Sequence, residues 1–214
     1  MVKKFTLVFG LTADPIHKGH AQVIINSINY LCNQNKKIKR VIIIPVYSPN
    51  LIANKNKPVA TFKQRYQMCC LVAKQLSRKL QCPIKVSKIE KKLAKKNQQP
   101  NYSYNTLKAL QLKNPLFLVS ADHFQGQKPK FSQWYKWQEL IKISGLLINQ
   151  RADTKINLMF IAQLKQQNKA VYLVEAKKTI AISSTQIREN IKDKSIQKYL
   201  NKDVANYIAQ HGVY

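Results

Sequence analysis

The chain has 214 residues, of which 45% are hydrophobic, enough to bury one full-sized core. No stretch approaches the ~20 apolar residues that a membrane-spanning helix needs. The apolar run after MVKK is also too short for the core of a signal peptide. These features exclude a helical membrane protein, and we expect a cytoplasmic protein with a single domain over residues 1–214.

Positive charge is the most unusual global feature, because 37 lysines and arginines face only 9 acidic residues, a formal net charge of +28. Such a charge attracts polyanions, so nucleic acid is a rival partner. The lysines are scattered along the whole chain instead of marking one helix or alternating with aromatic residues. We therefore expect no nucleic-acid partner, and a chain rich in Lys, Asn, Ile and Tyr is also typical of an AT-rich genome.

Short β-branched runs alternate with longer amphipathic segments, which predicts an α/β fold with a doubly wound, mostly parallel sheet. The predicted strands are Phe5–Phe9, Val41–Val46, Ile84–Val86, Leu116–Val119, Gly145–Ile148 and Val171–Val174. Helices are predicted at about 19–32, 61–80, 102–112, 134–143 and 155–167, followed by two C-terminal helices near 184–192 and 203–210. The segments Tyr47–Pro58 and His123–Gln133 are predicted to be mobile loops, where this architecture binds its ligands.

The segment GLTADPIHKGH, from Gly10 to His20, joins the first strand to the first helix. A strand that leads through a glycine turn into a helix directs backbone N–H groups and the positive helix end at one point, which suits a phosphate. His17 and His20 lie on one side of the helix start, and Gly19 removes a side chain that would crowd a triphosphate. A histidine pair could equally bind a metal, but no Glu or Cys at a suitable spacing supplies a third ligand.

The segment AISSTQIR, from Ala181 to Arg188, follows the last strand and opens a helix. Ser and Thr are ordinary N-cap residues, so a capped helix accounts for the cluster by itself. Three hydroxyl groups, a helix N-terminus and a guanidinium one turn later also form an anion site. Two such sites in one chain predict a nucleoside triphosphate that is held at both ends.

Both segments resemble the motifs of the HxGH nucleotidyltransferase superfamily, G-[GT]-[ST]-F-D-P-x-H-x-G-H and I-S-[ST]-T-x-[IV]-R. Within it the chain resembles bacterial nicotinate-mononucleotide adenylyltransferases over essentially its whole length. The family's S-Y-T-x-D-T-L is similar to NYSYNTL at 101–107, and its G-x-D before a tryptophan is similar to SAD at 120–122 before Trp134. Its strand ending in R-P is similar to LLINQR at 146–151, and its final Y-I-x-x-x-G-L-Y to YIAQHGVY at 207–214.

The resemblance implies transfer of the adenylyl group of ATP, with Mg²⁺, to nicotinate mononucleotide in NAD biosynthesis. It implies catalytic roles for His17, His20 and Arg188, with His20 nearest to the α-phosphate. The implied ATP-binding residues are Gly10, Thr12, His17, His20, Ser183, Ser184, Thr185 and Arg188. The implied substrate-binding residues are Lys55, Tyr102, Ser103, Asp122, Trp134 and Arg151.

Trp134 would stack on the nicotinate ring, although a packing role is the alternative because Trp137 is close. The chain departs from the family at Leu11, where the motif has glycine, and at Ala13, where it has phenylalanine. We therefore expect a stiffer loop that lacks one packing anchor. His123 and His211 belong to no motif, and we predict that both are incidental.

Three hypotheses stay open at this point. The chain is a pyridine-nucleotide adenylyltransferase, another nucleotidyltransferase of the same superfamily, or a basic nucleic-acid-binding protein. The preference for nicotinate over nicotinamide and the oligomeric state also stay open, and an oligomer is compatible with the sequence.

Overall fold

The computed structural model describes residues 3–49, 57–97, 101–150, 154–176 and 178–214. Its centre is a six-stranded sheet in the order β3-β2-β1-β4-β5-β6, with every neighbouring pair parallel. The strands are β1 (Lys4–Leu11), β2 (Lys37–Pro45), β3 (Ile84–Val86), β4 (Pro115–Ser120), β5 (Gly145–Gln150) and β6 (Val171–Glu175). The predicted α/β fold with a doubly wound sheet is confirmed.

Helices connect the strands and close the chain. They are α1 (Lys18–Asn33), α2 (Phe62–Leu80), α3 (Ile89–Asn97), α4 (Ser103–Leu110), α5 (Trp137–Ile143), α6 (Leu158–Gln167), α7 (Ser184–Glu189), α8 (Lys194–Gln197) and α9 (Lys202–His211). Thr61 caps α2, since its hydroxyl accepts from the backbone N–H of Gln64 at 3.3 Å and Gln64 Oε1 accepts from the N–H of Thr61 at 2.9 Å. Such reciprocal capping fixes where the helix begins.

Each face of the sheet carries its own apolar core, because successive side chains of a strand point to opposite faces. Leu7 and Phe9 of β1 pack into one core with residues of α1, α2 and α9. Val8 between them packs into the other core, with residues of α4, α5 and α6. The sheet is therefore covered on both faces, which explains why its strands read as nearly continuous apolar runs.

The segment His123–Gln133, predicted to be a mobile loop, contains parts of two short 3-10 helices, Ala121–Phe124 and Lys130–Gln133. Phe124 and Phe131 are fully buried and their rings stack with centroids 5.0 Å apart. The prediction of a loop was wrong for these two helical turns, because burial of the two apolar rings outweighs the polar composition around them. Helices α3 and α8 were not predicted.

Two further boundaries differ from the predictions. Helix α5 begins at Trp137, three residues later than predicted, because Lys136 takes the left-handed conformation with φ of 50°. Leu11, expected in the loop, is the last residue of β1, where it pairs with Pro45 and packs into the core. Within the part of the chain that the structure describes, no helix is long and apolar enough to cross a membrane.

Candidate functional site

A cleft of about 970 Å³ opens at the carboxyl ends of the central strands. Its floor is formed by the last residues of the neighbouring strands β1 and β4. From β1 the strand order runs to one edge of the sheet, and from β4 it runs to the other edge. In doubly wound sheets, ligands bind at this switch point. The cleft is lined by ten of the predicted site residues, namely Gly10, Thr12, His17, His20, Tyr102, Ser103, Asp122, Trp134, Ser183 and Ser184.

The rings of the two motif histidines lie against each other, tilted, at the N-terminus of α1. Their ring centroids lie 3.7 Å apart with an interplanar angle of 31°, and His17 is only 5% exposed. Nδ1 of His20 accepts from the backbone N–H of His17 at 3.3 Å. Because Nδ1 is the acceptor, the neutral ring of His20 carries its proton on Nε2. His20 is thereby prepared to donate a hydrogen bond from Nε2.

Gly19 makes room for this histidine pair. A Cβ atom at position 19 would lie 2.9 Å from Nδ1 of His17 and 3.2 Å from the carbonyl oxygen of Ile180. A side chain at position 19 would therefore crowd the ring of His17. Gly10 differs, because a Cβ there would meet the ring of Phe117 at an ordinary distance of 3.7 Å.

The second motif, Ala181–Arg188, contacts the first, Gly10–His20, directly. Nη1 of Arg188 donates to the carbonyl oxygen of Asp14 at 2.6 Å and lies 3.5 Å from the carboxylate Oδ2 of the same residue. The hydroxyl of Ser184 donates to the carbonyl oxygen of Pro15 at 3.0 Å. These bonds bring segments more than 160 residues apart in the sequence to one wall of the cleft.

Some predicted phosphate ligands are already used within the protein. The hydroxyl of Ser183 caps α7, accepting from the backbone N–H of Gln186 at 3.1 Å. Arg188 and Thr185 do not line the cleft; Nη2 of Arg188 donates to the hydroxyl of Thr185 at 3.3 Å. The cleft wall is therefore formed by Ser183 and Ser184, with Arg188 beside them holding the first motif.

The opposite end of the cleft is built from aromatic side chains. The rings of Tyr102, the N-cap of α4, and Tyr135 lie 4.5 Å apart, and both are more than a third exposed. Trp134 is half-buried, with its ring centroid 5.1 Å from that of Phe131. Trp134 packs on the core and also lines the cleft.

Other predicted substrate residues occupy the same end or lie outside the description. Asp122 is exposed on the cleft rim and accepts from the hydroxyl of Ser120 at 3.0 Å. Ser103 is the first residue of α4. Lys55 and Arg151, together with most of the predicted loop Tyr47–Pro58, lie outside the described residues.

Two residues of the cleft were missed by the sequence analysis. His123, predicted to be incidental, lines the cleft with its ring 5.0 Å from that of Trp134. Glu90 of α3 is buried in the cleft wall, where it accepts from the backbone N–H of Tyr47 at 3.1 Å and the hydroxyl of Thr106 at 3.3 Å. Burial raises the pKa of Glu90 to about 7.

His211, the other histidine without a motif, lies on the exposed end of α9. Its ring stacks on Tyr207 with centroids 4.1 Å apart. Among the described residues, no group of three or more His, Cys, Asp or Glu side chains could hold a metal ion.

Comparisons with known proteins agree with this architecture. The cytidylyltransferase-like family matches residues 8–190. A protein named "Probable nicotinate-nucleotide adenylyltransferase" from Flavobacterium psychrophilum is 32% identical, and the match covers 99% of this chain and 98% of that protein. A protein of the same name from Hydrogenobaculum sp. is 28% identical, with 96% of each chain covered.

A solved structure supports the fold independently. The Plasmodium falciparum nicotinic acid mononucleotide adenylyltransferase complexed with NaAD superposes with a TM-score of 0.74 at 18% identity, covering 99% of this chain and 98% of that one. From the sequence matches, the chain belongs to the cytidylyltransferase-like family and, within it, to the nicotinate-nucleotide adenylyltransferases.

Proposed function

We propose that the chain transfers the adenylyl group of Mg-ATP to nicotinate mononucleotide. A phosphate oxygen of the mononucleotide attacks the α-phosphorus of ATP and forms a new P–O bond. The bond between the α-phosphorus and the bridging oxygen to the β-phosphate breaks, and pyrophosphate leaves. The products are nicotinate adenine dinucleotide and pyrophosphate.

The observation that carries this proposal is the contact between the two motifs at the cleft wall. His20 and the hydroxyl-bearing start of α7 line one cleft, and Arg188 bonds to Asp14 of the first motif. A triphosphate that reaches from His20 to Ser183 would meet both motifs. Helix α1 adds the positive end of its dipole at the same place.

The chemistry asks the protein for positioning and charge stabilisation. The attacking phosphate is already ionised near neutral pH, so no general base is required. In our proposal Nε2 of His20 donates to an α-phosphate oxygen as negative charge develops there, and the ring of His17 packs against that of His20. Gly10, Thr12, Ser183 and Ser184, which line the cleft, are proposed to complete the ATP site. Thr185 and Arg188 lie beside this wall, and we propose that they reach the β- and γ-phosphates of a bound triphosphate.

Magnesium is proposed to enter as part of the Mg-ATP substrate. Mg²⁺ in phosphoryl-transfer sites commonly takes its ligands from the phosphates, waters and one or two carboxylates. Asp122 is an exposed carboxylate on the cleft rim, and we propose it for such a contact.

The aromatic end of the cleft is proposed to hold the pyridine nucleotide. Trp134 would stack on the ring, and Tyr102 and Ser103 would lie near its carboxylate. Lys55 and Arg151 are proposed phosphate contacts on the strength of the sequence alone. A single domain over residues 1–214 and a cytoplasmic location also stay proposals.

A substrate panel tests the proposal. The purified chain is incubated with Mg-ATP and, separately, nicotinate mononucleotide, nicotinamide mononucleotide or phosphopantetheine, and released pyrophosphate is measured. We expect release with nicotinate mononucleotide above the other two. Release only with phosphopantetheine, or none together with tight salt-sensitive binding of RNA or DNA, would reject the proposal in favour of one of the rival hypotheses.

A further inference from the structure

Asp14, the acidic residue of the first motif, is buried and fully engaged. Its carboxylate accepts from the backbone N–H groups of Val59 at 2.9 Å and Ala60 at 3.0 Å, just before α2. It also accepts from the hydroxyl of Tyr214 at 2.7 Å and lies 3.5 Å from Arg188. The segment Thr12–His17, between β1 and α1, is the proposed phosphate-binding loop. The side chain of Asp14 therefore links this loop to three distant parts of the chain.

Arg65 holds the same loop from the other side. It is only 2% exposed, and its Nη1 donates to the carbonyl oxygens of Thr12 and Val46, each at 2.7 Å. Its Nε donates to the carbonyl oxygen of Ala60 at 3.2 Å. Burial lowers the pKa of this guanidinium, and the nearby carboxylate of Asp14 opposes that effect.

The loop held by these groups has a conformation that it would not adopt freely. Ala13, between Thr12 and Asp14, is buried with φ of 57°, the left-handed region that disfavours residues with a Cβ. Backbone of this kind persists where surrounding contacts determine it. His17 follows only four residues later, so the loop fixes where the histidine pair stands.

We propose that Tyr214 is a positioning residue for the phosphate-binding loop, acting through Asp14. The Tyr214 hydroxyl is the neutral donor near the guanidiniums of Arg65 and Arg188 and the buried carboxylate of Asp14. Burial and the bond to Asp14 raise the pKa of the phenol, which therefore stays protonated as the donor at neutral pH. The residue lies beyond α9 and belongs to neither motif.

If Tyr214 positions this loop, its loss should affect the use of ATP more than the binding of the pyridine nucleotide. This kinetic prediction rests on the proposed function. Removal of the hydroxyl in Tyr214→Phe leaves Asp14 with one donor fewer and loosens the loop. A hydrogen bond to a charged group is worth enough to change a rate about tenfold or more. We expect kcat/KM for ATP to fall by about tenfold while KM for nicotinate mononucleotide stays near the wild-type value.

Tyr207→Phe is the matched control, because Tyr207 lies on the adjoining helix α9 with its ring stacked on His211. We expect wild-type kinetics for this variant. A purely structural role of Tyr214 would instead lower the melting temperature and leave the kinetic constants of the folded enzyme unchanged. That result, or equal kinetics of the two variants, overturns the inference.

A readout independent of activity separates this inference from the proposed function. The chain contains four histidines, whose imidazole signals can be followed by NMR without substrate. In Tyr214→Phe we expect the signals of His17 and His20 to shift and that of His211 to stay. Unshifted His17 and His20 signals reject the positioning role even if the wild type proves inactive with every substrate.

Discussion

The two ends of the cleft differ in how deeply their side chains are buried and in how many hydrogen bonds hold them. At the end proposed to bind the triphosphate, the phosphate end, the side chains of His17, Asp14 and Arg65 are at most 5% exposed. The backbone or side chain of each takes part in a hydrogen bond that involves a backbone group. At the aromatic end proposed to hold the pyridine nucleotide, the pyridine end, Tyr102 and Tyr135 are 39% and 43% exposed. The first end is held by hydrogen bonds among buried groups, whereas the second presents aromatic side chains at the cleft rim.

This difference matches the two tasks of an adenylyl transfer. Stabilising charge at the α-phosphate requires donors whose positions are set in advance, since reorganising them during the reaction would raise the barrier. Recognising a flat ring requires mainly an aromatic face and a few polar contacts. Variants at the phosphate end should therefore change turnover, and those at the pyridine end should change substrate affinity.

The largest expected effect comes from His20→Ala. Removing one preorganised donor of this kind lowers turnover by about 100-fold or more, which corresponds to roughly 3 kcal/mol in the transition state. Steady-state kinetics with Mg-ATP and nicotinate mononucleotide measure kcat, and circular dichroism checks the fold. His211→Ala, which removes an exposed imidazole on α9, is the control and should retain full activity.

Gly19→Ala tests the phosphate end by displacing the histidine pair, whereas His20→Ala removes one of its side chains. The new Cβ would lie 2.9 Å from Nδ1 of His17, so the histidine pair or the start of α1 must move. A shift of about 1 Å in a catalytic group can lower a rate by up to about 100-fold, and we expect kcat to fall by between about 10-fold and that limit. Gly10→Ala is sterically acceptable to the protein, and a folded, active Gly19→Ala enzyme would contradict the crowding argument.

The phosphate end was largely predictable from the sequence. Gly10 to His20 and Ala181 to Arg188 are contiguous segments, and a strand followed by a glycine turn and a helix has a known geometry. The supporting contacts were not predictable, because Arg65 reaches the carbonyl oxygen of Thr12, and Tyr214 reaches Asp14, only after the chain has folded. A signal was available, since arginine is rare among the many lysines of this chain and Arg65 falls at a buried position of α2.

The pyridine end was predicted less completely. It is assembled from three short segments that the sequence separates, so distances between them could not be derived from periodicity. The buried rings of Phe124 and Phe131 order a segment whose polar composition indicated a loop. Glu90 was missed because it lies on α3, a helix hidden in a lysine-rich stretch, although it is one of only nine acidic residues.

Trp134→Ala tests the pyridine end, where the expected effect is smaller. Aromatic stacking contributes about 0.5–1.5 kcal/mol beyond the buried area, or roughly a three- to tenfold rise in KM. We expect this rise for nicotinate mononucleotide, with KM for ATP unchanged. Tyr135→Ala is the comparison: if it raises KM and Trp134→Ala does not, the exposed tyrosine is the stacking face and our assignment is wrong.

The smallest expected effect on activity concerns Glu90 and pH. Its pKa is raised from 4.5 to about 7, so between these pH values the folded protein keeps a proton that the unfolded chain has lost. The free energy of unfolding should therefore fall as pH rises from about 4.5 to about 7, and then level off. Glu90→Gln removes this slope and should be more stable than the wild type above pH 7, as urea unfolding at several pH values will show.

Ionised Glu90 also places a negative charge in the wall of a cleft that must admit an anionic nucleotide. KM for nicotinate mononucleotide should then rise by about two- to threefold as pH increases through 7, the size of a partly screened charge interaction below ~1 kcal/mol. The rise should be absent in Glu90→Gln, which can still accept from Tyr47 and donate to Thr106. An identical pH dependence in both enzymes would show that the phosphate end, or the substrate itself, sets the profile.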